Sequence, residues 1–410
     1  MLSILYDRSY LFMRGDLCLN KIIGIIDADL LGHGTRHPNL ACLKLSGYHK
    51  AQGDHVRLIE SWNEILSGNT IKTYDHIYLS RVFDFTPIPI DVDAFPNLSY
   101  GGTGFYYLPF SDGNIHMLPH KIEHHMPDYH LYDHFVAKKI ARGIKASRFR
   151  DYQDYSIGFM TRGCFRGCHF CVNQHSHGVR FHAHVDEFFD PSRKYIYLWD
   201  DNVLGYPKWR EVFEELAATG RRFQFRQGMD IRIMTPEKAK TLSEAKYIGD
   251  YIFAFDHPEE RREIERGLQC WQQYNHKITK LYVLCGYDNQ DQRDIESTFM
   301  RIKILMKYGC LPYIMRHENY VKSKYRGTYI NLARWCNQPN FFKKKSYRQY
   351  CESNGENSST MRYMREFEHD WPDIAASFYD LRWEDLRLSG IHRQIFSAHA
   401  HMAFCRASML

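Results

Sequence analysis

The 410-residue sequence contains no apolar run approaching the roughly 18 residues that a membrane span requires. Its opening stretch also lacks a signal-peptide core, because Asp7, Arg8, Arg14 and Asp16 interrupt it. A cytoplasmic location without membrane partners is therefore expected. A disulfide framework is excluded by the cysteine pattern: the 11 cysteines are odd in number, and outside one cluster they are scattered without paired spacing. Charge of one sign is also scarce, since 54 basic against 48 acidic residues leave a net +6. The local basic run Lys343, Lys344, Lys345 and Arg348 reads as a solvated face. No RNP-type motif accompanies the aromatic share of 15% or the 23 histidines, which are assigned to core, domain contacts and pocket walls.

What is present is concentrated in Met160 to Gln174, MTRGCFRGCHFCVNQ, where Cys164, Cys168 and Cys171 fall at C-x3-C-x2-C spacing. Four thiolates usually hold a cubane iron–sulfur cluster that only transfers electrons, so three leave one iron open to a further ligand. A zinc site completed by His169, His175 or His177 is the competing reading, although structural zinc usually takes its ligands in two separated pairs. The spacing, with Phe170 just before the last cysteine, resembles that of the radical S-adenosylmethionine (SAM) superfamily. This resemblance implies a 4Fe-4S cluster on Cys164, Cys168 and Cys171, SAM bound at the open iron, and reductive cleavage of SAM to a 5'-deoxyadenosyl radical.

The N-terminal part alternates strands and helices. KIIGIID, HVRLIE and Asp75 to Ser80 read as strands, a helix begins near Pro38 and ends by Gly53, and Leu98 to Tyr107 reads as a glycine-rich turn region. This pattern predicts a small doubly wound parallel sheet. Residues 20 to 125 resemble the cobalamin-binding-like domain that precedes the barrel in one branch of the superfamily. Cobalt-ligating members carry D-x-H-x-x-G after the first strand, whereas here Asp27, Asp29 and Gly32 occupy those places, with aspartate for the axial histidine. A degenerate domain acting as a lid or docking surface is expected, or one that binds cobalamin without a histidine ligand, with cobalamin as the less favoured cofactor. The histidine-rich segment within 108–150, including Glu123, His124, His125 and His130, reads as linker surface in preference to a metal site.

From Tyr155 six strands recur in YSIGFM, YIYLW, FQFRQG, YIFAF, KLYVLCG and LPYIMR, with helical patterns between them. Trp209, Val212, Phe213 and Leu216 mark one helix, Thr235–Pro236 caps another, and Ile295, Phe299, Ile302 and Met306 mark a third. Six such units predict a partial TIM barrel whose strand ends, and hence the cysteine loop, share one rim. At that rim the family resemblance points to Asp200, Asp201 and Asn202 for the SAM ammonium and to the segment of Gln227, Gly228, Asp230 and Arg232 (QGMDIR), in which the glycine permits close backbone approach and Arg232 pairs with the SAM carboxylate. It also assigns Asp256 to the ribose hydroxyls and Gly286 to backbone approach to adenine. Cys336 and Cys351 stand as weak candidates for an auxiliary cluster, in a tail similar to that of a phage-associated and bacterial radical SAM group of unassigned function.

The expected fold is therefore α/β, in five segments. These are an N-terminal extension (1–20), a Rossmann-like domain (21–125), a linker (126–150), a partial (β/α)6 TIM barrel (151–328) and a helical C-terminal extension (329–410). The expected function is radical SAM chemistry on an unidentified substrate, with a flavodoxin or ferredoxin as electron donor and nucleic acid among the candidate substrates. The alternatives are a cobalamin-dependent radical SAM methyltransferase, a methylthiotransferase-like RNA modifier, and a non-catalytic iron–sulfur redox sensor.

Overall fold

The computed structural model describes residues 20–66, 73–106 and 117–386. The expected extension up to Leu19, residues 107–116 and residues 387–410 of the C-terminal extension lie outside the described residues. The chain forms two compact units, Met1–Asp154 and Tyr155–Leu410.

The first unit is built on a parallel sheet of β1 (Ile22–Asp27), β2 (His55–Leu58), β3 (His76–Ser80) and β4 (Leu98–Gly101), in the order β2-β1-β3-β4. Central β1 is almost wholly buried, as an apolar run paired on both sides must be. The helix Leu40–Ala51 starts where the Asn39 side chain accepts the amides of Ala41 and Cys42, and Gly53 beyond its end takes φ +87°. The Leu98–Tyr107 region is corrected in part. Leu98–Gly101 is a strand, Thr103–Tyr106 is a short helix, and Gly102 turns the chain between them, where φ is +104° and a Cβ would lie 2.3 Å from the Arg81 carbonyl oxygen. Tyr107 lies outside the described residues.

The segment 126–150, expected as a linker, supplies Tyr129, Leu131, Tyr132, Val136 and Phe149 to one core with Ile23, Ile25 and Leu43. Periodicity did not reveal this because the apolar residues are spread over short helices and turns. Tyr132 donates its hydroxyl to Asp27 Oδ2 at 2.8 Å, and burial pushes the Asp27 carboxyl up to about 6. The unfolded carboxyl titrates near 3.8. Between these values the native state holds a proton that the unfolded state has released, so stability falls as pH rises through the window. Asp27→Asn is expected to remove one proton's share of that fall, on the order of 2–3 kcal/mol in full. Urea unfolding of the first unit at pH 4 and pH 7 reads the effect, and an unchanged pH dependence would contradict it.

The second unit carries β5 (Tyr155–Gly158), β6 (Thr161–Arg162), β7 (Arg180–Phe181), β8 (Tyr195–Leu198), β9 (Arg222–Phe225), β10 (Tyr251–Ala254), β11 (Thr279–Cys285) and β12 (Leu311–Arg316). Parallel sheets β5-β8-β9 and β10-β11-β12 are joined by the parallel bridge Met229–Phe253, so six parallel strands follow one another in space as in sequence. The helices Trp209–Ala218, Pro236–Glu244, Arg261–Gln272 and Gln292–Lys307 alternate with them. One sheet face, including Ile196, Leu198, Phe223, Phe225, Leu281, Val283 and Ile314, is buried in the helix-packed core. The opposite face carries a separate cluster of Tyr155, Ile157 and Tyr197.

The helices beyond β12 share the main core through Trp335, Phe342, Tyr347, Phe367 and Tyr379. The basic run is tied down there. Lys343 lies over Trp383, Lys345 over Phe341, and Arg348 pairs with Glu368 at 2.8 Å and Asp380 at 3.0 Å. No helix among the described residues is long and apolar enough to cross a membrane.

Candidate active site at the strand ends

The cysteine loop is pinched at its base by the short antiparallel ribbon of β6 and β7, a feature with no periodic signature in the sequence. Gly163 opens the loop at φ +92°, and a Cβ there would fall 2.4 Å from the Gly178 carbonyl oxygen. None of the three cysteines is disulfide-bonded, and all are half-buried. Each end of the loop is stapled by the segment that follows β8. Asp200, 3% exposed, accepts the amides of Met160 and Thr161 at 3.2 and 2.5 Å and the Thr161 hydroxyl at 2.6 Å. Asp201 accepts the Gly163 amide at 2.7 Å and Asn173 Nδ2 at 2.8 Å. Burial raises the Asp200 carboxyl to about 6 despite these bonds.

Asn202 completes the trio in a different way. Its Nδ2 lies 3.5 Å from Cys164 Sγ, while its buried Oδ1 has no hydrogen-bond partner among the described residues. A buried acceptor left unpaired costs on the order of 1–3 kcal/mol, so it marks a place where a donor fits. The thiols also interact with one another. Burial and then the adjacent Cys171 push Cys168 up to about 11, against the pull of the Arg232 guanidinium. Burial likewise raises Cys171, aided by Cys164 and Asp201. Cys168 and Cys171 therefore resist ionisation alone, and iron would reverse this by taking them as thiolates.

Among the described residues no three His, Cys, Asp or Glu side chains stand together as they would around a single metal ion. A cubane cluster takes each thiolate on a different iron, so its ligands stand farther apart than those of one ion. The donor set of three thiols, with the Asn173 amide 3.4 Å from Cys171 Sγ, fits that group.

The QGMDIR residues divide. Gln227 is exposed, and Gly228 lets the chain pass Tyr282, where a Cβ would meet the ring at 3.2 Å. Asp230 is buried and receives Arg166 Nε at 2.7 Å and Arg232 Nε at 2.6 Å, and Arg232 also pairs with Glu260. Arg232 is thus held in an ion-pair chain that reaches back into the cysteine loop through Arg166. The sequence did not mark Arg166 or Glu260, because that pairing spans 64 positions.

Phe170 packs against Tyr287 at 5.5 Å and His257 at 5.8 Å, both beyond strand ends. Asp256 Oδ1 accepts the Leu284 amide at 3.0 Å, and burial raises its carboxyl. Gly286 takes φ +73° and donates its amide to Asp294 at 2.8 Å. Behind this corner Arg301, 1% exposed, donates from Nη1 to the carbonyls of Phe255, Asp256 and Leu284 at 3.2, 2.7 and 2.9 Å. The row Asp294, Thr298, Arg301 and Leu305 was the available signal, a lone arginine at core-facing helical spacing.

The other candidates resolve differently. Cys336 and Cys351 are both buried in the hydrophobic core and their thiols are raised by burial, Cys351 to about 12. Glu123 is in a buried ion pair with Lys44 at 2.8 Å, and His130 bonds Asp133 at 2.8 Å. His120 and His124, four residues apart, stack with ring centres 4.2 Å apart. In the first unit Asp29, at the position of the axial histidine, is 1% exposed. Its oxygens accept the Val82 amide at 2.6 Å, the Phe83 amide at 3.3 Å and the Thr86 hydroxyl at 2.5 Å. A carboxylate so engaged clamps a loop and does not fit a cobalt ligand.

No family model matches the chain, and no curated protein matches it. Among solved structures it is similar to the cobalamin-dependent S-adenosylmethionine radical enzyme OxsB with aqua-cobalamin and SAM bound. That similarity has TM-score 0.37 and 12% identity over 95% of this chain and 62% of that one. OxsB with aqua-cobalamin bound gives TM-score 0.35 and 11% identity over the same shares. The chain therefore spans about three-fifths of that enzyme's chain, at 62%. Nothing about the cofactors of this protein follows from so distant a likeness.

Proposed function

We propose that the protein is a radical SAM enzyme that holds a 4Fe-4S cluster on Cys164, Cys168 and Cys171 and cleaves SAM reductively to act on a further substrate. The observation carrying this reading is the stapled three-cysteine loop beside the unpaired, buried Asn202 Oδ1 at the ends of parallel strands. When bound, the cluster supplies one electron to the sulfonium of SAM, which yields a 5'-deoxyadenosyl radical.

The chain's own residues do the rest. Asp200 and Asp201 hold both ends of the loop in register, so their contribution is positional. Asn202 Oδ1 accepts a hydrogen bond from the SAM ammonium. Asp230 and Arg232 brace the loop through Arg166, Asp256 faces the ribose hydroxyls, and Gly286 allows close backbone approach to adenine. Phe170, between Tyr287 and His257, shields the loop from water, which limits quenching of a radical. Gln227 and Gly228 belong to the same rim.

In this reading a Rossmann-like domain (21–125) precedes a partial (β/α)6 barrel (151–328) and a C-terminal extension (329–410) that is helical over its described residues. The enzyme works in the cytoplasm and takes electrons from a flavodoxin or ferredoxin. Its substrate is a small molecule or nucleic acid. The Asp29 clamp speaks against cobalt ligation at that position, so a cobalamin-dependent methyltransferase would have to hold its corrinoid without an axial side chain there.

The test is anaerobic reconstitution with iron and sulfide, reduction with dithionite, and chromatography for 5'-deoxyadenosine. Product formed from SAM supports the proposal. A four-iron cluster that leaves SAM intact across a panel of candidate substrates would point instead to a redox sensor.

A further inference from the structure

The cysteine loop and its flanks carry charge of one sign. From Tyr155 to His184 the chain has Arg162, Arg166, Arg180 and five histidines but no aspartate or glutamate. The carboxylates that reach this segment from elsewhere are already engaged, Asp230 by Arg166, Asp200 by Thr161, Asp201 by the Gly163 amide and Asn173, and Glu215 by His184. Arg162 and Arg180 are register partners on β6 and β7. Like charges set opposite each other destabilise a ribbon, a cost that an acidic partner relieves. Arg180 is exposed and makes no ion pair among the described residues.

The same segment exposes large apolar side chains: Phe165 is 43%, Val172 44% and Phe181 40% exposed. Phe165 follows Cys164 in the chain and Val172 follows Cys171, so apolar surface opens directly beside two of the three thiols. The two phenylalanines of the loop are placed against different elements. Phe170 meets Tyr287 and His257 beyond the strand ends, whereas Phe165 lies against Gly205, where an added Cβ would fall 2.6 Å from its ring and 3.1 Å from Val179. Glycine at 205 thus lets Phe165 and Val179 close on one spot, and Arg180 is the next residue. The Arg166 guanidinium lies 4.9 Å from the centre of the Phe165 ring. The result is a small surface of apolar side chains and arginines on a loop that Asp200 and Asp201 staple in place.

We propose that this exposed face of the cysteine loop docks an acidic one-electron carrier protein, whose carboxylates answer Arg166 and Arg180 while its redox group comes up beside Phe165. This deepens the radical SAM reading and rests on it for the demand for an electron. In the step served, one electron passes from the carrier, which is oxidised by one, to the cluster, which is reduced by one; no bond forms or breaks. A few charges around a small apolar centre suit a transient redox encounter, in which charge steers the approach more than it adds affinity. A nucleic acid strand would instead need a longer track of cations for its phosphates.

The experiment mixes the cluster-loaded protein and its Arg180→Glu and Arg180→Lys variants with a reduced carrier, either an acidic flavodoxin as hydroquinone or an acidic 2Fe-2S ferredoxin, and follows electron transfer by stopped flow. Photoreduced deazaflavin, a small neutral reductant, is the control. Arg180→Glu is expected to slow reduction by at least one carrier about ten-fold or more at low salt while changing the deazaflavin rate less than about two-fold. Arg180→Lys, which keeps the charge, is expected to stay near wild type, and added salt is expected to slow the wild-type carrier reaction far more than that of Arg180→Glu. Interferometric binding of the same carriers needs neither cluster nor electron transfer, so it reads the surface even where a variant loads iron poorly, and it is expected to show the same order of affinities. Equal carrier rates and affinities in wild type and Arg180→Glu, or a parallel loss with deazaflavin, would overturn the proposal. So would Arg180-dependent binding of a single-stranded RNA where neither carrier binds. None of these readouts involves SAM. Arg180-dependent reduction in a protein that leaves SAM intact would sink the enzymatic reading alone, and SAM cleavage under deazaflavin without any Arg180 effect on the carriers would sink the docking surface alone.

Discussion

Cys168→Ala is expected to lose the four-iron absorbance on reconstitution and to reduce 5'-deoxyadenosine formation to background. The reason lies in the count and placement of ligands. Three thiols serve three irons, so removing one leaves two thiolates for a cluster that already has an open position. No replacement is at hand, since Asp200 and Asp201 are engaged with the loop backbone and with Thr161 and Asn173. His169 and His175 are exposed. Cys168 is also the thiol that burial and its neighbour raise to about 11, so in a protein without iron it stays protonated at neutral pH. Loading iron must displace that proton, and proton release on reconstitution is expected to be smaller in the variant. Cys336→Ala and Cys351→Ala serve as contrasts: both remove core thiols and should retain the cluster. Full cluster content in Cys168→Ala would refute the ligand assignment.

Arg301→Met is expected to destabilise the second unit by about 3–5 kcal/mol, the upper end for a single substitution. Methionine can fill much of the space but donates nothing. The carbonyls of Phe255, Asp256 and Leu284 would lose the donor that joins the ends of β10 and β11. Each buried acceptor left without a partner costs on the order of 1–3 kcal/mol, and the three costs overlap because they share one donor atom. Arg301→Lys should fall between, since one ammonium cannot reproduce the fork that also reaches Thr298 at 3.2 Å. Because the chain has two units, unfolding must be followed by a probe specific to the second. A loss below about 1 kcal/mol in Arg301→Met would show that these bonds are not what holds the corner. The functional corollary is local: the Asp256 carboxylate and the Gly286 amide are presented by the same strand ends.

The strand cores were legible because a parallel strand covered on both sides must be a continuous apolar run, as in YSIGFM, whose strand residues Tyr155–Gly158 are all buried. Helices with clean stripes were equally legible, and Trp209, Val212, Phe213 and Leu216 are all buried. The cysteine motif was legible because a cluster's ligands lie within eight residues, as local as any turn. Leu98–Gly101 was hidden by Gly101 and by Gly102 and Gly104 just beyond it, which suggest a turn when read without the neighbouring strand that pairs with this one. Tyr129, Leu131 and Tyr132 read as linker because their partners lie some hundred positions away, as the Tyr132–Asp27 bond at a separation of 105 illustrates.

By itself, then, the sequence determined the order of the elements, the local chemistry of Cys164, Cys168 and Cys171, and the rim on which a parallel α/β chain places them. Only the tertiary structure decided which polar residues are spent on holding that rim together and which remain directed at a ligand. Asp200, Asp201 and Arg232 fall in the first group, and the function proposed above assigns Asn202, whose buried Oδ1 is unpaired among the described residues, to the second. The physical reason is that a carboxylate or guanidinium has the same composition in either role. Its role is set by partners brought within about 3 Å by the fold, from positions that no local pattern connects.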